Sequence, residues 1–214
     1  MDVMLSEPKL RLLEELGTSY TDGKEGGEDG NNRLRPPVDC PKWVCCLLPC
    51  IKNIPSMKRF RQVQPHDAEV LRQGGEWVNY DASTISRGDI LRIREGDRVP
   101  ADCVVLSIGY DHLTAANYDS NAELVVDDSD VTGRVKPITI TASNSDTKLC
   151  TIHYASQVLH GSAIVVANAV GSQTKLASLI RQGKWPPSRN NQSNEDDDAI
   201  EDEEAGVSLL QRTQ

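Results

Sequence analysis

The sequence predicts a mainly β domain with one or two short helices, set between polar ends. Three observations predict it. Between Val63 and Gly183, runs rich in Val, Ile and Leu alternate with Gly, Asp and Pro turns, as strands joined by tight connections do. Apolar residues make up 38% and aromatic residues 4% of the 214 residues, too little for a core along the full chain. The apolar runs gather in one stretch of about 120 residues, an ordinary size for a single domain.

In order along the chain, residues 5–16, LSEPKLRLLEEL, read as an amphipathic helix. Ser6 caps it, Pro8 suits its first turn, and Leu10, Leu12, Leu13 and Leu16 form an apolar stripe. It is expected to be a docking or marginal helix rather than a core element. Residues 17–32 form a Gly- and Asp-rich linker. Residues 39–61 hold Cys40, Cys45, Cys46 and Cys50, with an apolar centre and a basic C-terminal side. The runs AEVLR, EWVNY, DILRI, CVVLSI, AELVV, CTIHYA and AIVVANAV are the expected strands, several alternating at period two. Gly74-Gly75, Gly88-Asp89 and Gly96-Asp97 supply turns between them. A helix is expected over 172–182, with Leu176, Leu179 and Ile180 on one face. Gly183 ends it and Pro186-Pro187 keep it from resuming. The segment NQSNEDDDAIEDEEAG carries eight acidic residues, whose mutual repulsion predicts disorder. The expected plan is therefore helix and flexible linker over 1–38, a Cys-rich basic segment over 39–62, the β domain over 63–184 and an acidic tail over 185–214.

A net charge of -9 argues against nucleic acid as a main partner, because phosphate neutralisation needs clustered Lys and Arg. No stretch approaches the roughly 20 apolar residues that span a bilayer. The start, MDVMLSEPKL, lacks the basic and apolar regions of a secretory signal and has no Gly at position 2 for myristoylation. A cytosolic setting is expected, where stable disulfides are rare. Cys103 and Cys150 fall in expected strands as core thiols. His66, His112, His153 and His160 show no ligand or triad spacing. No catalytic residue, metal site or cofactor is expected.

Three stretches, read in order, carry a resemblance. Arg72 and Gly75 precede Gly88-Asp89, Gly96-Asp97 and Pro100-Ala101-Asp102. Asp127-Asp128-Ser129 then lead to Thr132-Gly133 and Pro137. Last come Gly161-Ser162, Gly171 and Thr174. In order and spacing this set resembles the actuator domain of P-type ATPases, the cation pumps, over a little more than half the chain. The resemblance implies a distorted jelly-roll or β-sandwich. The residues make physical sense without it. Gly-Asp pairs form tight turns that the Asp side chain caps, and Asp102 is placed to accept turn amides, so Gly88, Asp89, Gly96, Asp97, Pro100 and Asp102 read as structural.

In that family the TGES loop carries a Glu that positions the water hydrolysing an aspartyl-phosphate. On this alignment Arg134 stands at the place of that Glu and Val135 at the place of the Ser. A guanidinium stays protonated and cannot act as a general base, although it can hold phosphate as a bidentate donor. Thr132, Gly133 and Arg134 are therefore candidates for contact with an anionic or partner surface, or a surface loop without a role. The chain also has no DKTGT stretch for phosphorylation. The expected function is a non-catalytic actuator-like interaction or regulatory module acting on a membrane pump or another membrane protein. Two rivals stay open. One is a residual acyl-phosphate phosphatase using Asp127, Asp128 or Asp130. The other is one piece of a divided pump.

The Cys-rich segment has three readings. Cys40, Cys45, Cys46 and Cys50 are S-acylated, with Trp43, Leu47 and Leu48 in the interface and Lys52, Lys58, Arg59 and Arg61 at anionic headgroups. Alternatively they bind zinc, although the spacing matches no usual framework, or they are simply reduced. The first reading makes the protein peripherally membrane-associated on the cytosolic side.

Overall fold

The computed structural model describes residues 7–16, 32–38, 53–71, 75–109, 122–142 and 149–187. Among them nine strands form two antiparallel sheets. The larger sheet holds β1 (Asp67–Leu71), β2 (Trp77–Asp81), β3 (Ile90–Arg94), β4 (Asp102–Ile108), β7 (Thr151–Ile152) and β9 (Ser162–Ala169), in the order β2-β1-β3-β9-β4-β7. The smaller holds β5 (Glu123–Asp127), β6 (Ile138–Thr141) and β8 (Gln157–His160), in the order β6-β5-β8. Val70, Leu91, Ile93, Val105 and Val165 from the first meet Leu124, Val126, Ile140 and Val158 from the second in one core. The result is a distorted β-sandwich with four short α-helices among the described residues: α1 (Glu7–Glu15), α2 (Pro55–Val63), α3 (Ser129–Thr132) and α4 (Lys175–Arg181).

β4 and β9 are neighbours in the interior of the larger sheet, and both of their faces are covered. Cys103 and Val105 point into the sandwich; Val104 and Leu106, with Ile164 and Val166 of β9, point the other way. That is why their sequences run almost continuously apolar instead of alternating. Leu12 and Leu13 of α1, with Leu16 just after it, cover this outer face; Leu10, expected in the same stripe, is exposed instead. The pairing of β4 with β9 steps from Val105 to Ser107, and the extra residue returns Ile108 to the sandwich side. Leu106, skipped in that register, gives its carbonyl to Lys9 Nζ at 2.7 Å. Lys9 is itself only 1% exposed, so α1 is a seated element and not a loose appendage.

The smaller sheet hands the chain to the larger one at Gly161. Its φ of +87° suits glycine, and a Cβ there would run into the carbonyl oxygen of Glu123. No other residue lets β8 and β9 cross β5 so closely.

A second core lies beside the sandwich. Leu34, Phe60 and Val63, Val131, Tyr154 and Ala155, Leu176 and Ala177, and Trp185 build it. Phe60 and Trp185 meet edge to face, 6.1 Å between ring centres.

Several expectations need correction. Asn32, read as linker, is buried and hydrogen-bonded on three sides. Its Nδ2 donates to the carbonyls of Ala82 (2.8 Å) and Pro100 (2.6 Å), and its Oδ1 accepts from Gly171 N (2.7 Å). Trp185, read as the start of the tail, is 5% exposed. Residues 55–63, read within the membrane-proximal segment, form a helix that puts Phe60 and Val63 into the second core. CTIHYA holds only the two-residue β7, because residues 153–156 turn around Asp102, with Ala155 at φ +71°. β6 and β8 lie in runs not read as strands.

Candidate functional site

The loop that carries the resemblance begins as a single helical turn. The Asp128 carbonyl accepts from Val131 N (2.9 Å) and Thr132 N (2.8 Å), and the Ser129 carbonyl from Gly133 N (3.0 Å). Gly133 closes the turn at φ +81°, where glycine is favoured. A Cβ there would lie 2.9 Å from Pro187 Cβ, so glycine also admits the chain that follows α4. Thr132 Oγ1 donates to the Asp128 carbonyl (3.2 Å) and accepts from Arg134 N (3.3 Å), which steers the exit of the loop.

The base of the loop is fastened to the second core. Val131 is 1% exposed there; burying such a side chain contributes about 1.5–3 kcal/mol. Trp185 Nε1 donates to the Asp130 carbonyl at 2.8 Å. The Asp130 carboxylate accepts from Arg59 Nη2 (2.9 Å) and Nε (3.3 Å) and from Arg98 Nη1 (3.3 Å). Arg98 also donates to the Ala155 carbonyl at 2.9 Å. Beyond this base, Arg134, Val135, Lys136 and Pro137 stand exposed, Val135 to 84%. The arrangement is a rigid stem with a cationic, partly apolar tip.

The nearby carboxylates are all held away from the tip. Asp127 Oδ1 accepts from Ser129 N at 2.8 Å. Asp128 is 2% exposed, and its Oδ1 has no hydrogen-bond partner. Asp130 is in the ion-pair network.

The structural turn residues are dispersed. Gly88 and Gly96 both have φ +92°. Asp89 Oδ2 accepts from Ser86 N (2.9 Å) and Asp97 Oδ2 from Arg94 N (2.8 Å), at opposite ends of β3. Pro100 is buried and gives its carbonyl to Asn32. Asp102 joins two elements: Oδ1 accepts from Tyr154 N (2.7 Å) and Oδ2 from Lys175 N (2.6 Å), the first amide of α4. Burial pushes its carboxyl above the ordinary aspartate value, and the two amides and nearby His153 restrain the rise. Burial likewise raises the Cys103 thiol and the Tyr154 phenol. Cys103 is fully buried and Cys150 half-buried. His160 Nδ1 lies 3.2 Å from Glu95, at an exposed pair. Among the described residues no group of three or more His, Cys, Asp or Glu is placed to hold a metal ion. Cys40, Cys45, Cys46 and Cys50 lie outside the described residues, as does His112.

Arg59, expected at lipid headgroups, is paired with Asp130. Arg98 and Trp185, which support the site through Asp130, and Asn32, which ties Ala82, Pro100 and Gly171 together, are not marked by the sequence reading. The signal for α2 was present, since Phe60 and Val63 are three apart, one helical turn. Nothing local marks Asn32.

Residues 62–184 match the family model described as the P-type ATPase actuator domain. The chain belongs to that family. The actuator domain matched here is also similar to parts of several curated pumps. Calcium-transporting ATPase 4, endoplasmic reticulum-type, of Arabidopsis thaliana is 23% identical over 177 residues, 77% of this chain and 16% of the relative. Copper-transporting ATPase 2 of Rhizobium meliloti is 33% identical over 59% of this chain and 13% of its own length. The human sodium/potassium-transporting ATPase subunit alpha-3 is 30% identical over 63% of this chain and 13% of its own. The chain thus spans less than a fifth of the relatives it matches. A zinc-transporting PIB-type ATPase solved in its E2.Pi state aligns with a TM-score of 0.43 and 14% identity, over 58% of this chain and 17% of that one. Among the described residues no helix is long and apolar enough to cross a membrane.

Proposed function

We propose that this actuator domain works by contact and not by catalysis, docking its Thr132-Gly133-Arg134 loop on an anionic surface of a membrane pump or another membrane protein. One observation carries the reading: the loop has a fastened stem and an exposed cationic tip, while Asp127, Asp128 and Asp130 are all engaged or buried behind it. A guanidinium at the tip can pair with phosphate or carboxylate, but it cannot take a proton from water. Cys40, Cys45, Cys46 and Cys50, when acylated, would hold the domain at the cytosolic face of the membrane; two chains anchor far more stably than one. No cofactor or nucleic acid enters this reading.

Two measurements on the purified chain test it. With acetyl phosphate as probe, we expect hydrolysis no faster than in buffer; acceleration that disappears in Asp128→Ala would overturn the non-catalytic reading. In membrane fractionation, the wild type should pellet with hydroxylamine-sensitive acyl groups, and the variant with all four cysteines changed to Ser should stay in the supernatant. If both stay in the supernatant without acyl groups, the anchor is refuted. The share of each relative that this chain spans favours a second reading, the actuator piece of a larger or divided pump. Co-purification with a chain bearing DKTGT and membrane spans would support that one.

A further inference from the structure

The last described residue, Pro187, leaves the fold beside the loop tip. Its ring sits against Gly133, and Trp185, two residues earlier, is hydrogen-bonded to Asp130 and stacked edge-on against Phe60 of α2. Asp130 and α2 also border a groove of about 500 Å³, lined by Lys58, Arg59, Gln62, Arg98 and Asp130. The groove is cationic in balance. Two guanidiniums share the one carboxylate of Asp130, and Lys58 stands exposed at the edge. Arg134 and Lys136 extend the positive surface from the other end of α3. Residues 53–63 and 161–187 contain no Asp or Glu at all, although the chain as a whole carries a net charge of -9. The missing negative charge lies further on: Glu195, Asp196–Asp198, Glu201, Asp202, Glu203 and Glu204 follow within one run.

We propose that this acidic run folds back on its own domain, occupying the α2–α3 groove and the Arg134–Lys136 surface in cis. Seven residues, 188–194, separate Pro187 from Glu195. Extended, they span about 23–25 Å, ample to return to a groove whose wall begins at the partner of Trp185. A tether this short sets a local concentration of order millimolar, so even weak ion pairs hold the run in place. The contact is electrostatic, and salt screens it. Its consequence is competition: whatever anionic surface approaches the loop must first displace the run. The inference goes beyond the proposed docking function, because the cis contact is measured on the chain alone and stands whether or not that partner exists.

Zero-length carbodiimide cross-linking of the full chain, with the peptides mapped by mass spectrometry, tests it. We expect Lys58 and Lys136 joined to residues 195–204, at a yield unchanged on dilution. That yield should fall about fivefold or more between roughly 50 and 500 mM salt. Lys184 serves as the control for mere nearness in sequence. Cross-links confined to Lys184 and Lys175 overturn the proposal. So does a yield that falls on dilution, since the run would then be bound to another molecule. A second measurement covers failure of the chemistry. Changing the eight acidic residues to Asn and Gln should speed amide exchange in residues 55–63 and 132–137 while the melting temperature stays within the error of the wild type. Unchanged exchange in both segments overturns the cis contact.

Discussion

Single side chains with several bonds each decide how this domain is held. Asn32 satisfies two carbonyls and one amide from three separate segments. Asn32→Ala leaves all three buried and unpaired, and we expect a loss of about 2–4 kcal/mol by urea unfolding; a loss under about 1 kcal/mol would mean that water replaces the amide without penalty. Asp102 and Asp128 give a matched pair. Asp102→Asn turns an NH2 group toward the amide of Tyr154 or Lys175 and should cost about 1–3 kcal/mol at neutral pH. Asp128→Asn removes no bond from Oδ1, so it should change stability by less than about 1 kcal/mol. Equal losses at the two sites would refute that distinction. The raised carboxyl of Asp102 has a pH signature with a definite sign. The folded state holds this proton more tightly than the unfolded chain, so the group favours folding below its ordinary value of 3.8. That contribution fades as pH rises through the raised value. Carbon-13 titration of Asp102 should therefore show a midpoint above 3.8.

At the scale of elements, α1 is the most informative. Leu12 and Leu13, with Leu16 just beyond it, seal the outer face of β4 and β9, yet the buried side chain among its described ones is a lysine. Removing the ammonium leaves the buried Leu106 carbonyl without its donor. We expect Lys9→Met to destabilise by about 1–3 kcal/mol, and Lys9→Ala by more, because it also leaves a cavity. A thermal scan of both variants decides; Met as stable as the wild type would show that the carbonyl does without its donor. The same element shows where sequence is readable. The leucine stripe marked a helix and the continuous apolar runs marked β4 and β9, because both signals are local and periodic. The Thr-Gly turn with its neighbouring carboxylates was readable for the same reason. The β4 bulge, the lysine seated on its skipped carbonyl and the three-way Asn32 junction depend on residues 50 to 139 positions apart, which no window contains. β6 and β8 escaped because ITIT and QVLH are four-residue strands at the edges of the smaller sheet, too short to show a period. Arg98 sits inside a turn motif whose local signal comes from its Gly and Asp.

For the whole molecule, residues 62–184 place the chain in the actuator family, and the curated relatives it matches in part are named for transport of calcium, copper, sodium and potassium. This chain places a guanidinium on the exposed tip, and we expect Arg134→Glu to abolish binding to an anionic partner surface while leaving the melting temperature within about 2 °C, since the side chain is exposed. Loss of folding in that variant would show that the tip has a structural duty instead. Gly133→Ala is the complementary test. It forces a Cβ against Pro187 and into a left-handed φ, and should cost about 1–3 kcal/mol.

Residues 39–52 leave the described structure at Val38 and re-enter at Asn53, and both flanks run into the second core, through Leu34 on one side and Phe60 on the other. Were the cysteines between those flanks acylated as proposed, the attachment would reach the fold beside the second core. An anionic membrane surface would then compete with the acidic run for one and the same cationic groove.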